Sequence, residues 1–434
     1  MKSKEGFKET EIGLIPEEWD ILSIEDAMDK IIDYRGKTPK KRIDGIPLIT
    51  AKIVKNGRIR EPKEFISEED YEDWMSRGMP KEGDIVITTE APLGEVAQLD
   101  NKKIALAQRL ITLRGKKEVL NNNFLKYILQ SPLVQNGLEI RSTGTTVMGI
   151  RQSELKKVLL PIPNYTEQKR ISDILINLDK KINLNHKMNQ TLEEIGQAIF
   201  RHWFADFEFP DEDGNPYKSS GSEMVDSELG PIPQGWEVGI INDLCDSITN
   251  GGTPKRKEEE YWIDGIIPWY KTGELFDGPL IDSEEHITPE GLNNSSCKLW
   301  APNTILIALY ASPTVGRLGI LKSTATSNQA CSGLVAKKDV GYQYLFYNLL
   351  FKREELNSIA VGSAQQNISQ DLVKNTKTII PPSNLTIEFQ STIEPFFKQK
   401  TLFLKESLNL SQIRDSLLLK LMSGKIRVPL EGEL

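Results

Sequence analysis

Apolar positions recur every seven residues in two long stretches of the chain. Ile171, Leu178, Leu192 and Ile199 keep that interval around a central Asn185, and Leu175 and Ile182 fill the complementary stripe. Phe389, Phe396, Phe403, Leu410 and Leu417 repeat it, each 218 residues beyond its counterpart. Heptads sustained this long predict a coiled-coil helix over 166–207 and another over 386–425. Paired antiparallel, two such helices form a stiff strut with a domain at either end. The plainer reading lays each helix on its own domain. Asn185, with Asn189 beside it, either fixes the register from inside the seam or faces water. Pro395 predicts a kink in the second helix or a later start.

Upstream of each heptad stretch the period is shorter. The runs at 84–89 and 304–309 are β-rich, bounded by Gly or Pro, and read as core strands. Residues 123–129 and 342–350 read as helices packed on those strands. Pro161 and Pro163 in one copy, and Pro381 and Pro382 in the other, close these regions before the long helices begin. The fold class is therefore mixed α/β, without the pattern of a doubly wound parallel sheet.

The two halves are versions of one unit. Gly13-Leu14-Ile15-Pro16-Glu17-Glu18-Trp19 returns as Gly230-Pro231-Ile232-Pro233-Gln234-Gly235-Trp236, and Gly36-Lys37-Thr38-Pro39 returns as Gly251-Gly252-Thr253-Pro254. Gly144, Ile150 and Gln152 match Gly362, Ile368 and Gln370 at a displacement of 218. A repeat this long is a domain with its connector, not a solenoid unit. The pattern divides the chain into a first globular domain (1–165), a spacer helix (166–207), an acidic linker (208–227), a second globular domain (228–385) and a second spacer helix (386–425).

Charge changes the picture once its distribution is considered. The net charge of −8 disfavours a nucleic-acid partner at first sight. Yet between Asp206 and Glu228 eight carboxylates face Lys218 alone, so this one segment carries nearly the whole excess. Binding follows local fields rather than the total, which leaves DNA open as a partner. No apolar run is long enough to cross a bilayer and the N-terminus lacks a signal-peptide core, so a cytoplasmic protein without membrane contact is expected. Cys245, Cys297 and Cys331 are too few and too scattered for a disulfide framework or a zinc site, and His186, His202 and His286 are equally dispersed.

Catalytic patterns fail one by one. Asn215-Pro216-Tyr217 lacks the second proline of an amino-methyltransferase loop and reads as a turn. There is no phosphate-binding Gly-rich loop. Asp84, Glu90 and Glu95 have no acidic counterparts beside the equivalent strand, which weakens a nuclease reading. The sequence is expected to hold no active site and to bind no metal.

These features together resemble the specificity (S) subunits of type I restriction-modification systems, over essentially the full length. The carrying residues are the two Gly-x-Ile-Pro-x-x-Trp openings, the turn at Gly252-Thr253-Pro254, Ile267-Pro268-Trp269, the loop from Gly362 to Ile368, and Glu167-Gln168-Lys169 at the start of the first helix. The first copy departs at Gly36, where one glycine of the pair is replaced, and at 144–150, which lacks the Gln-Gln-Asn. The resemblance implies two target recognition domains, each reading half of a split double-stranded DNA site. It implies two spacer helices that pair as an antiparallel coiled coil about a pseudo-two-fold and dock two modification (methyltransferase) subunits. Those subunits would bring S-adenosylmethionine, and restriction (endonuclease/translocase) subunits would bring ATP and Mg. A duplicated protein–protein scaffold, and an autonomous DNA-modifying enzyme, are the competing readings.

Candidate DNA contacts follow from side-chain chemistry, with Lys and Arg for phosphates and Arg, Lys, Asn and Gln for base edges. Lys37, Lys40, Lys41 and Arg42, and in the second copy Lys255, Arg256 and Lys257, cluster at the same Thr-Pro turn. Arg58 and Arg60 form a further pair expected at the surface. Arg141 and Arg151 flank the Gly144 loop, and Gln365, Gln366 and Asn367 supply amides to its counterpart. Tyr270 and Lys271 beside Trp269 either meet DNA or belong to the core. Gln108 and Arg109, with Asn328 and Gln329, follow the strand pairs at matching places.

Overall fold

In the computed structural model the chain is described over residues 6–34, 39–100, 103–310, 313–359 and 367–428. It divides into two compact units, Met1–Ile182 with Asn409–Leu434, and Asn183–Leu408. The units do not follow the linear domain boundaries, because each long helix gives one half to each of them.

Unit 1 is built on an antiparallel sheet in the order Leu93–Gln98, Ile85–Thr89, Leu110–Gly115, Met28–Asp33. Its strand Ile85–Thr89 is buried throughout because both faces are covered. Ile85 and Ile87 face the cluster that includes Phe124 and Ile128 of helix Asn122–Gln130. Val86 faces the opposite cluster around Leu48 and Leu106. Asn121 caps the helix, its Oδ1 accepting from the Asn123 and Phe124 amides. A small second sheet sets Ala105–Leu106 parallel to Ile46–Ile49, which pairs with Phe65–Ile66.

Unit 2 repeats this plan. Ile305–Ala308 is flanked by Cys331–Ala336 and Leu318–Leu321, with Cys245–Asn250 and Gly278–Leu280 outside them. Ile305 and Ile307 point to one core and Leu306 and Ala308 to another. Thr326–Ser327 runs parallel to Ile267–Tyr270, which pairs with Glu285–Ile287. The strands Leu159–Ile162 and Lys377–Ile380 each pair with a single neighbour, an edge position that tolerates Pro161 in the first of them.

The long helices run Tyr165–Phe204 and Ser383–Met422. Within unit 1, Asp179 meets Arg414 and Glu167 meets Arg427 just beyond the second helix, so the paired halves are antiparallel. Within unit 2, Asn185 meets Glu406 and Ser407, Glu193 pairs with Lys400, and Phe200 lies against Phe389, in the same sense. Asn185 is fully buried in the seam. The second helix starts ahead of Pro395 and runs through it, the proline standing on the exposed face.

The seam is not a strict heptad. Ile171, Leu175, Ile182, Phe389 and Phe403 are buried, while Leu178, Leu192, Ile199, Leu410 and Leu417 are partly buried. Phe396 is only partly covered and Phe397 takes the buried place, because a helix of 3.6 residues per turn drifts from a seven-residue repeat.

Residues 218 apart hold these long helices to helices Asn122–Gln130 and Tyr342–Phe351 by different chemistry. In unit 1 Asp179 Oδ2 accepts from Lys126 Nζ (2.8 Å) and Tyr127 Oη (2.7 Å), and Oδ1 accepts from Arg414 (2.9 Å). Burial opposes ionisation of Asp179, yet the two cations and the phenol outweigh it and hold the carboxyl below its ordinary range. In unit 2 the matching positions are Phe397 and Gly196. Phe397 packs against Tyr342, Phe346 and Tyr347 at centroid distances of 5.6, 5.7 and 5.7 Å. Gly196 is required there, since a Cβ would sit 2.0 Å from the Tyr347 hydroxyl.

The segment 208–227 is no free tether. Phe207 and Phe209 are buried in the core of unit 2, Phe209 stacking on Tyr217 and Trp236 (4.6 and 5.1 Å). Asp211 Oδ1 closes the turn on the Asp213 and Asn215 amides, and Met224–Val225 pairs with Ile232–Pro233. The aromatic residues between its charges supply the apolar anchors that its Gly, Pro and Asn content conceals. At unit 1 the residues after the second helix do related work. Arg427 pairs with Glu167, itself buried and accepting from Trp19 Nε1. No helix among the described residues is long and apolar enough to cross a membrane.

Candidate nucleic-acid interface

In unit 1 the parallel pairing of Ala105–Leu106 with Ile46–Ile49 carries the chain beyond each strand to a common edge. There Thr50–Lys52 lies beside the turn at Gln108–Arg109, and the Ala107 amide donates to the Ile49 carbonyl (2.9 Å). The Arg109 carbonyl accepts from the Thr89 amide (2.9 Å), and the Ile150 amide donates to the Thr89 carbonyl (2.9 Å), bringing the 143–149 loop to the same edge. Residues 39–42 complete the cluster, Arg42 exchanging backbone hydrogen bonds with Phe65. Between them is a cleft of about 250 Å³ lined by Pro39, Lys41, Lys52, Glu64, Ala91, Gln108 and Arg109 among others.

Unit 2 assembles the corresponding edge. The Gly251 amide donates to the Cys331 carbonyl and the Gly252 amide to that of Ser327. Trp269 Nε1 and Cys297 Sγ both donate to the Gly252 carbonyl (2.9 and 3.1 Å). A Cβ on Gly252 would stand 2.5 Å from the Cys297 nitrogen, so the turn needs glycine here. Thr253 Oγ1 donates to Gln329 Oε1, and the Ile368 amide donates to the Leu309 carbonyl.

Strand register shows which residues correspond. Leu110 lies opposite Thr88 and Cys331 opposite Ala308, while Ala105 and Thr326 pair with Leu48 and Trp269. Gln108 and Gln329 therefore occupy one position, and Arg109 corresponds to Ala330, one residue off the match that sequence order suggests. Thr253 thus touches the residue equivalent to Gln108, joining two motifs that stand far apart in the sequence.

Several basic residues at this edge are already paired. Lys41 Nζ lies 2.9 Å from Glu64, and Arg256 Nη1 lies 2.6 Å from Glu285. The strand registers make these two carboxylates equivalent. Arg256 also stacks over Trp262 and Trp269 at 3.8 and 4.7 Å. Burial opposes ionisation of Glu285, but Arg256 and Lys271 together hold its carboxyl below the usual value. Lys271 pairs with Glu284 and Glu285, and Arg42 lies 3.7 Å from Asp44. Lys40, Lys255 and Lys257 are exposed, with no ion pair among the described residues.

Other candidates lie elsewhere. Tyr270 is a core residue, fully buried in strand Ile267–Tyr270, and does not present itself to a ligand. Arg58 is not a freely exposed residue. Its short hairpin, Val54–Lys55 with Arg58–Ile59, turns it toward Asp179 and Arg414, and burial lowers its pKa. Arg60 is exposed, as is Arg151. Arg141 lies 3.7 Å from Glu154. Asn328 caps its own turn, its amide donating to Tyr270 and its Oδ1 accepting from Ala330. Asn367 is half-buried, whereas Lys37, Gln365 and Gln366 lie outside the described residues. Lys52 and the glutamates Glu64 and Glu285 escaped sequence reasoning, because only non-local strand pairings bring them to the edge. Among the described residues no group of three or more His, Cys, Asp or Glu could hold a metal ion.

Comparison with known proteins gives this edge its context. The sequence matches the family described as the type I restriction modification DNA specificity domain twice, over residues 16–194 and 233–409. It is 30% identical to the type I restriction enzyme MjaIX specificity subunit of Methanocaldococcus jannaschii, covering 97% of this chain and 96% of that one. It is 24% identical to the HindI specificity subunit of Haemophilus influenzae, over 80% of this chain and 87% of that one. The fold matches the crystal structure of the type I S subunit from M. genitalium with a TM-score of 0.56, at 16% identity, covering 97% of this chain and 98% of that one. Two family matches that cover most of the chain, together with relatives aligned nearly end to end, make this chain a member of the type I restriction-modification DNA specificity subunits, whose part is recognition rather than catalysis.

Proposed function

We propose that each unit reads one half of a bipartite double-stranded DNA site with the loop edge described above. The paired helices would set the spacer and dock two modification subunits. S-adenosylmethionine would sit on those subunits, and ATP and Mg on restriction subunits, so that this chain supplies neither cofactor nor reacting group. The setting is the cytoplasm. The observation that carries this reading is the register-equivalent edge in both units, with like backbone and unlike side chains. Two similar readers of two dissimilar sequences need that arrangement. Exposed apolar side chains on the helices, among them Ile174, Met188 and Ile195 on the first and Leu402 and Leu419 on the second, suit a partner that covers them.

Mapping methylated bases genome-wide, in a strain carrying the cognate modification genes, tests the proposal. A split motif should be methylated with this chain present and unmethylated when it is deleted. If methylation does not depend on the chain, and duplex DNA is not retarded by it even with modification subunits at low salt, a protein–protein scaffold is the better reading.

Phosphate binding is separable from base reading. Replacing Lys40, Lys255 and Lys257 together by alanine should weaken binding of the assembled complex to specific and unrelated duplexes alike. The slope of log affinity against log salt should become shallower by roughly 0.9 for each phosphate that is no longer neutralised. An unaltered slope takes these lysines off the list of phosphate-binding residues.

A further inference from the structure

The two edges differ most sharply where Arg109 stands in unit 1 and Ala330 in unit 2. Arg109 adopts φ +76, a left-handed conformation that disfavours any residue with a Cβ. The Thr89 amide donates to its carbonyl, as the Leu309 amide does to that of Ala330, which does not share the left-handed φ. Strain kept at a solvent-facing loop tip is a pointer to function.

The guanidinium is held less tightly than those of several other arginines of unit 1. Arg114 is bound bidentately to Asp84 (2.7 Å twice), Arg427 to Glu167, and Arg414 to Asp179 and Asp415. Arg109 has side-chain exposure of 48%, and its nearest carboxylate, Glu90, is 3.6 Å away, beyond charge-assisted hydrogen-bond range. It projects from the wall of the same cleft as Lys41 and Lys52.

A cationic fork selects among base edges by elementary complementarity. In the major groove guanine offers two acceptors, O6 and N7, at a spacing that a guanidinium spans with two N–H donors. Adenine offers one acceptor and one donor, so one N–H would face another. A second cation within the cleft strengthens the preference for an edge bearing only acceptors.

Resting on the half-site reading above, we propose that Arg109, with Lys52 in the same cleft, reads a guanine in the half-site taken by unit 1. Unit 2, with Ala330 in that place, makes no matching contact and reads its half-site through the neighbouring Gln329 and Thr253. The proposal makes Arg109 a specificity residue and not one more phosphate contact.

The test is the methylated motif directed by the full chain in its complex with modification subunits. Arg109→Gly removes the fork and suits the left-handed backbone, so folding is spared. Arg109→Lys keeps the charge without the fork. The wild type should specify a G·C pair at one position of one half-site. With Arg109→Gly preference there should fall by about tenfold or more, every base of the other half-site remaining specified. Arg109→Lys should recover affinity but only part of the preference. A motif unchanged by Arg109→Gly, or an equal loss at all sites, or full rescue by lysine, overturns the assignment. A wild-type chain that directs no sequence-dependent methylation sinks the half-site reading and this proposal with it.

Discussion

Asp179→Ala is expected to cost unit 1 about 3 kcal/mol, because removing one member of a buried ion pair strands the others. Lys126 and Arg414 are 11% and 22% exposed at the side chain, and among the described residues neither is paired with a second carboxylate except Asp415 at Arg414. The Tyr127 hydroxyl loses its acceptor at the same time. The measurement is hydrogen exchange along helix Asn122–Gln130, with Tyr342–Phe351 in unit 2 as the internal control. Protection should fall in the former and hold in the latter. Introduced into an Arg414→Ala background the same change should cost less, because the two residues share one interaction. Equal losses in both units would show that Asp179 acts through the whole chain rather than through this joint.

Acid should act on the same place. The Asp179 carboxyl is held below its ordinary range in the folded chain, so its contribution is complete above the unfolded value of about 4 and disappears as pH falls through the lower folded value. Loss of protection in Asn122–Gln130 is therefore expected to begin below about pH 4.

The second large effect belongs to unit 2. Phe397→Ala should destabilise that unit by about 3–5 kcal/mol, the range for removing a fully enclosed phenylalanine. Phe397 is 1% exposed, touches three aromatic rings, and lies 5.6 Å from Lys400 Nζ across its face. Phe397→Leu should cost less, since it returns most of the volume without the ring contacts. Urea denaturation followed by exchange at Tyr342–Phe351 separates the two variants. Were Phe397→Ala no worse than Phe396→Ala, the assignment of Phe397 to the seam would be wrong.

What the sequence disclosed depended on how local the cause was. Heptads and β-rich runs are short-range patterns, and they led to the two 40-residue helices and to the central strands at Ile85–Thr89 and Ile305–Ala308. The duplication was legible because the marker residues keep their spacing. Limits appeared wherever partners come from far along the chain. Arg58 looked like a surface cation until its hairpin was seen to face Asp179. Tyr270 shared a stretch with polar neighbours, although strand alternation cannot apply where both faces are covered. Phe396 and Phe397 are adjacent phenylalanines, and only helical drift over several turns decides which is enclosed. The edge itself divides the same way. Its motifs were visible singly, while the pairing of Lys41 with Glu64, of Arg256 with Glu285, and of Thr253 with Gln329 needed the sheet registers.

Unit 2 is one unbroken stretch, Asn183–Leu408, whereas unit 1 joins the opening of the chain to its last residues. Translation therefore delivers the two bodies in an order opposite to their numbering. The first 182 residues emerge without Arg414, Leu421, Met422 or Arg427, so Asp179 has Lys126 but not its second cation, Glu167 lacks Arg427, and the core around Trp19 stays unsealed until residues 409–428 follow. The half that is made first is the half that matures last. A ribosome paused before residue 409 holds a nascent chain whose leading body is still open to chaperones and proteases.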